Sequence, residues 1–138
     1  VVFEYLDERY PHPPLMPIDP LSRARLRLAM LRLEHEWVPQ IQAIQHGTKT
    51  QVDAGRKRLK ELLLASLPLF KASRFFLNQE MSLADCAMAP IIWRLPALGI
   101  TLPKDAHAIE DYGQRIFRSP GFARSLTPEE RLLGEIPA

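Results

Sequence analysis

The sequence predicts an all-α fold, and three observations support that prediction. Apolar residues recur at steps of three and four along most of the 138 residues, and no stretch of useful length alternates apolar with polar residues as a strand would. Thirteen prolines stand largely where helices are expected to begin, bend or end. With 46% apolar and 25% charged residues, the composition is that of a folded globular chain rather than a disordered one.

Residues 1–10 predict a short amphipathic helix, in which Phe3, Leu6 and Tyr10 share one face and acidic residues occupy the other. A helix this short is stable only when it packs against something, and the chain has no initiator methionine. We therefore expect this helix to be the end of an upstream unit. Five prolines follow within residues 11–20 and predict a stiff linker.

From Leu21 the pattern predicts a long helix that ends at Gly47, with a bend near Trp37 because Pro39 removes a backbone donor. A second helix is predicted over residues 52–67, and the short connection between the two helices favours an antiparallel hairpin. The inward face of the first helix is predicted to carry Leu26, Met30, Leu33, Trp37, Ile41 and Ile44.

The start of the next helix is predicted to be a capping box. Ser82 at the N-cap can accept from the amide of Asp85, whose carboxylate can reach back to the amide of Ser82. Met81 and Cys86 are placed to form a hydrophobic staple across this box. The helix that follows is apolar on nearly all sides, so we expect it to be the buried central helix, with a kink at Pro90.

Three more helices are predicted, over residues 106–117, after Ser119 and after Thr127. Ser119 and Thr127 are good N-cap residues, and each is followed by a proline at the first helical position. Glu130, three residues after Thr127, completes a second capping box.

The residues themselves predict no catalytic site, no metal site and no cofactor. The histidines lack the spacing of paired helix ligands, no pair of acids is reserved for acid–base chemistry, and the glycines are not spaced to hold phosphates. Cys86 lies in the first turns of a helix, where the dipole lowers a thiol pKa, but its staple position favours a structural role. The four histidines are His12, His35, His46 and His107.

Charge and cysteine content favour a cytoplasmic protein. A net charge of +2 is too mildly basic to imply nucleic-acid binding, and a single cysteine cannot form an internal disulfide. No segment is typical of a signal peptide or a membrane span. Two basic stretches are interpreted as solvated faces, although phosphates or an acidic protein surface are alternative partners: Arg23, Arg25, Arg27 and Arg32, then Arg56, Lys57, Arg58 and Lys60.

Pro11, His12 and Pro13 are the residues that fold maintenance explains least well. A linker needs stiffness, but it does not need a histidine held between prolines. A rigid segment of this kind loses little entropy when it binds a partner. The residues alone nevertheless favour a plain linker over a docking site.

Two segments resemble a known family. Residues 4–17 and 76–100 are similar to the stringent starvation protein A family, and the Ser82-x-x-Asp85 box is shared with the wider glutathione transferase superfamily. This resemblance implies an all-α helical bundle over residues 21–138, like the C-terminal domain of glutathione transferases. It also implies that residues 1–10 are the last helix of a thioredoxin-like domain that is otherwise absent from this chain.

The resemblance also implies a function. Family members are non-enzymatic, RNA polymerase-associated regulators of the starvation response, and they act as dimers, with themselves or with a paralogue. Pro11, His12 and Pro13 are the implied protein-binding surface for RNA polymerase holoenzyme and its sigma factor. Asp19 departs from the aromatic residue expected nearby. No membrane contact and no sequence-specific nucleic-acid contact are expected.

Two other functions stay open at this point. The first is a glutathione transferase, in which this helical domain forms the wall of an apolar substrate site. The second is a nucleic-acid binder that uses the arginine-rich helix beginning at Leu21, for which a steep salt dependence of affinity is expected.

Overall fold

Helices make up the regular structure of residues 1–134, the part of the chain that this computed structural model describes. Those residues contain no strand, so the predicted all-α fold is confirmed. The last four residues of the predicted helical domain, 135–138, lie outside the described residues. The helices are α1 (Val2–Arg9), α2 (Pro20–Arg32), α3 (Val38–His46), α4 (Lys49–Ala65), α5 (Leu67–Ala72), α6 (Leu83–Arg94), α7 (His107–Phe117), α8 (Pro120–Ser125) and α9 (Pro128–Arg131).

The long helix predicted from Leu21 is present, and its regular α-helical geometry is interrupted near Trp37, where a bend is predicted. A π-helical turn, Leu33–Trp37, separates α2 from α3, and Pro39, which has no N–H to donate to the preceding turn, lies in the first turn of α3. Asp19 caps the start of α2, because its carboxylate accepts from the amide of Ser22 at 2.8 Å.

Helices α3 and α4 form the predicted antiparallel hairpin. Gly55 allows the two helices to approach closely, because a Cβ atom at this position would lie 3.0 Å from the carbonyl oxygen of Gln40. The predicted start of α4 is three residues late, since Thr48 and Gln51 form a capping box that the apolar pattern does not reveal. Its predicted end is also wrong: α4 stops at Ala65, and Leu67 already belongs to α5.

Helix α6 is the buried centre of the domain, as its composition predicts. It runs through Pro90 without interruption and packs against α2 and α7. The buried side chains of α6 belong to Leu83, Ala84, Asp85, Met88, Ala89, Ile91, Ile92 and Trp93.

The C-terminal helices are held to the end of α6. The ring of Trp93 packs edge-on against Phe117 and Phe122, with ring centroids 4.9 and 5.2 Å away. The Trp93 indole N–H donates to the Glu130 carbonyl at 2.9 Å, and Arg94 forms an ion pair with the Glu130 side chain at 2.5 Å. The N-caps predicted at Ser119 and Thr127 are both present.

Helix α1 is present, but its apolar stripe is not buried by the described residues. Phe3 and Leu6 are each 46% exposed, and Asp7 is instead the buried residue of this helix. Polar contacts help to hold α1, since Glu4 forms an ion pair with Arg27 on α2 at 2.7 Å. No helix within residues 1–134 combines the length and the hydropathy that crossing a bilayer requires.

Candidate functional site

The linker predicted over residues 11–20 ends one residue earlier, because Pro20 begins α2. It runs over the surface and returns to the core at its middle. Leu15 packs against the core cluster, and Met16 lies inside it with 8% of its surface exposed. Prolines before and after these two residues keep the backbone extended and remove donors that would otherwise need partners. The middle of the linker is therefore attached to the core of the domain.

Hydrogen bonds fix that attachment point from both sides. The carboxylate of Asp7, in the last turn of α1, accepts from the amide of Leu15 at 2.8 Å. The carbonyl of Leu15 accepts from the amide of Leu83, the first residue of α6, at 2.9 Å. Further along, the guanidinium of Arg23 donates to the carbonyl of Pro17 at 3.1 Å. These contacts tie α1, the linker, α2 and α6 together.

Pro11, His12 and Pro13 are exposed residues at the start of this anchored segment. All three side chains face solvent, and the His12–Pro13 peptide bond is cis. The preceding Tyr10 is also exposed, with the guanidinium of Arg9 placed 5.1 Å from its ring centroid. The structure thus places the predicted docking residues together on an accessible surface whose two ends are held.

The predicted cap residues Ser82 and Asp85 form the capping box of α6. One carboxylate oxygen of Asp85 accepts from the amide of Ser82 at 2.8 Å, and the Ser82 hydroxyl accepts from the amide of Ala84 at 3.3 Å. The second carboxylate oxygen accepts from the amide of Phe76 at 2.9 Å and from the hydroxyl of Tyr112 at 2.7 Å. Asp85 is only 1% exposed, so these four residues and Asp85 make a buried polar hub.

Burial changes the acid–base properties of the hub. It raises the pKa of Asp85 above the usual value for a carboxyl, while the bonds donated by Tyr112, Phe76 and Ser82 act in the opposite direction. Burial and then the Asp85 charge raise the pKa of Tyr112. The same two causes raise the pKa of the partly buried Cys86 thiol, which favours the structural role predicted for that residue over a nucleophilic one.

A groove of about 870 Å³ lies among α1, α2, α3 and α6. Both arginines on its lining are paired, because Arg27 binds Glu4 and Arg94 binds Glu130, while Glu34 adds an acidic side chain to the lining. The walls between them are mainly apolar, so the groove can accept an apolar molecule or chain segment. Its apolar lining includes Met30, Val38, Ile41, Ala87, Pro90 and Ile91.

Some side chains of the two basic stretches make contacts within the domain. The guanidinium of Arg56 donates to the carbonyl of Leu98 at 2.8 Å, and Arg58 lies 3.5 Å from Glu61. Arg27 is paired with Glu4, as described above. As for metals, residues 1–134 contain no group of three or more histidine, cysteine or acidic side chains placed to hold an ion.

Comparison with known proteins identifies the family. The model of the glutathione S-transferase C-terminal domain matches residues 20–120. This chain belongs to the glutathione S-transferase C-terminal domain family. The match covers α2 to the start of α8, and it therefore includes the hub and the groove-lining parts of α2, α3 and α6.

Within that family, the resemblance to stringent starvation protein A is confirmed. The chain is 41% identical over 127 residues to the stringent starvation protein A homolog of Histophilus somni, covering 91% of this chain and 60% of that protein. It is 40% identical to the homolog of Coxiella burnetii, covering 99% of this chain and 66% of that protein. The chain thus spans about 60% of the length of such relatives.

A solved structure confirms the fold. The mango Tau class glutathione S-transferase superposes with a TM-score of 0.67 at 21% identity, over 94% of this chain and 64% of that enzyme. At this level of identity the likeness concerns the arrangement of helices and not the chemistry.

Proposed function

We propose that this chain is the helical part of an RNA polymerase-associated regulator of the starvation response, which acts by docking on protein rather than by catalysis. The observation that carries the proposal is the exposed Pro11-His12-Pro13 segment, which is fixed to the domain on both sides. The names of the relatives, stringent starvation protein A homologs, support the physiological setting. A regulator of this kind works in the cytoplasm, as a dimer with itself or with a paralogue.

Anchoring makes the segment suitable for docking. A surface loop normally loses conformational entropy when it binds, and that loss weakens association. Here prolines fix φ at Pro11 and Pro13, and the Asp7–Leu15 hydrogen bond holds the chain a short distance further on. The imidazole of His12 can then offer a directed polar contact to RNA polymerase holoenzyme or its sigma factor at little entropic cost.

The test is binding of the full-length protein to purified RNA polymerase holoenzyme, measured by biolayer interferometry. The variant carries P11A, H12A and P13A together. A matched control carries alanine at Pro103, Lys104 and Asp105, which form another exposed proline-containing segment. We expect the first variant to lose most of the binding, and the control to bind like wild type.

Melting temperatures separate docking from stability. We expect both triple variants to melt close to wild type, because all six side chains are exposed. If the two variants bound equally, residues 11–13 would be a linker and not a docking surface. The same would follow if a fall in melting temperature accounted for the lost binding.

The groove supports a second candidate, a glutathione transferase in which this domain forms the wall of an apolar substrate site. Its volume of about 870 Å³ lies in the usual range for small-molecule pockets. This candidate predicts glutathione conjugation of an apolar electrophile by the full-length protein. The activity should fall in A87L, which narrows the groove, but not in A54L on the exposed surface of α4. The docking proposal predicts no turnover.

A further inference from the structure

A separate concavity of about 520 Å³ lies where the end of α5, the segment after it and α7 meet. It shares no lining residue with the apolar groove, and its walls are mainly polar. Neither the docking surface nor the capping hub uses the charged side chains that line it. It is therefore a distinct feature of the domain that the proposed function leaves unexplained.

The lining of this polar pocket carries an excess of positive charge. Lys71, Arg74 and Arg115 line it together with a single acidic residue, Asp111. Each ion pair found within residues 1–134 lies elsewhere in the molecule, so the three cations are not neutralised by such a contact. Cations that line a concave surface together attract a ligand of opposite charge.

Two of the cations are held in place by other contacts. The Nε of Arg115 donates to the carbonyl of Arg74 at 2.8 Å, which leaves the remaining N–H groups of that guanidinium for a ligand. The guanidinium of Arg74 lies 5.6 Å from the ring centroid of Phe75. The backbone amide of Arg74 donates to the side-chain oxygen of Gln79 at 3.4 Å, which holds the main chain at this position. Restrained guanidinium groups lose less entropy on binding than free ones.

We propose that this pocket binds a small phosphate-type oxyanion carrying two or more negative charges. Guanidinium groups bind phosphate oxygens through paired, charge-assisted hydrogen bonds, and Lys71 adds a point charge. A diphosphate carries more negative charge and more acceptor oxygens than a single phosphate, so it matches a lining with three cations better. This proposal is independent of the docking function, because none of its residues lies in the linker.

The test is a calorimetric titration of the full-length protein with inorganic pyrophosphate at about 0.15 M salt, where long-range attraction is screened. We expect saturable binding that weakens at least about fivefold in K71Q and in R115Q, because each loses one charge at the site. The matched control is R118Q, which removes an exposed cation three residues beyond Arg115, outside the pocket, and should bind like wild type.

Two further variants make the test sharper. D111N should tighten binding about threefold or more, because it removes the acid that repels the ligand. K71Q keeps the test valid if R115Q fails to fold, since the Arg115 side chain also bonds to the backbone of Arg74. Melting temperatures identify a variant that has lost its structure.

Three results would overturn the proposal. The first is a titration with no saturation by about 10 mM pyrophosphate. The second is that R118Q weakens pyrophosphate binding as much as K71Q and R115Q do, which would mean that the overall charge of the protein attracts the ligand. The third concerns the source of the phosphate: if single-stranded oligothymidine bound more tightly than pyrophosphate and was lost in the same variants, the site would belong to a nucleic-acid strand and not to a small oxyanion.

Discussion

At the scale of single residues, the Tyr112 hydroxyl is a buried donor to a buried carboxylate. Tyr112 is fully buried and lies 2.7 Å from an Asp85 oxygen. Burial, and then the charge of Asp85, disfavour ionisation of this phenol, so its pKa is raised above the ordinary value of 10.0. The folded domain therefore keeps Tyr112 protonated at a pH where the unfolded chain releases the proton.

This difference predicts how stability depends on alkaline pH. The contribution of Tyr112 is present in full below about pH 10 and is lost as the pH rises further, by up to about 1.4 kcal/mol per pH unit. The variant Y112F should show a shallower slope than wild type, because only the Cys86 thiol, whose pKa is also raised, still contributes to it. It should also cost about 1–2 kcal/mol at neutral pH, where Asp85 loses a donor. The measurement is urea unfolding between about pH 8 and pH 11.

The control for this prediction is Y5F. Tyr5 lies exposed on α1, so its removal should leave the alkaline slope of wild type unchanged. If Y112F lost stability with pH as steeply as wild type does, the folded-state pKa of Tyr112 would not be raised.

The hub also shows which residue-scale features a sequence can reveal. Ser82 and Asp85 stand three positions apart, so their reciprocal bonds follow from local helix geometry and could be predicted. Tyr112 stands 27 positions after Asp85, and only the packing of α7 against α6 brings it within reach. The cations of the polar pocket escaped prediction for the same reason, since they come from α5, α7 and the segment between α5 and α6.

At the scale of elements, α1 makes polar contacts with the rest of the chain, whereas its sequence predicts apolar packing. The period of its apolar residues correctly predicts a helix, but it does not say which surface covers them. Within residues 1–134 the stripe stays largely exposed, and Asp7 points inward instead. A buried carboxylate on a short helix is not expected from periodicity, because its partner is the amide of Leu15 on the linker.

Because Asp7 on α1 bonds to Leu15, we expect α1 and the proposed docking segment, residues 11–13, to loosen together when this contact is removed. The variant D7A leaves the amide of Leu15 without its acceptor, so unfolding should become easier by about 1–2 kcal/mol. Amide hydrogen exchange should accelerate in α1 and in residues 11–15 and much less in α6. Binding to RNA polymerase holoenzyme should weaken, although Asp7 itself is buried.

The matched control for D7A is E8A, the neighbouring exposed acid on the same helix. It should exchange and bind like wild type. Uniform acceleration across the domain in D7A, or unchanged exchange at residues 11–15, would show that Asp7 does not hold the docking segment.

At the scale of the whole molecule, Asp85 joins three parts of the chain. It bonds to the segment before α6 through Phe76, to α6 itself through the capping box, and to α7 through Tyr112. In D85A these buried donors lose their acceptor together, so we expect a loss of about 3–5 kcal/mol in the free energy of unfolding.

Ser82 provides the comparison. S82A removes one cap acceptor but leaves the carboxylate and its other donors in place, so the expected loss is about 1 kcal/mol. Urea unfolding of both variants measures the difference. Similar losses in the two variants would mean that Asp85 acts only as a helix cap and that its links to Phe76 and Tyr112 add nothing.

The π-helical turn at Leu33–Trp37 lies between two parts of one long helix that pack against different neighbours. Such a turn holds one residue more than an α-helical turn, which advances the following side chains by about 100° around the axis. Before the turn, α2 packs on α6, and after the turn, α3 packs on α4. The extra residue sets the phase between these two contact faces, so a chain one residue shorter here could keep either face inward but not both.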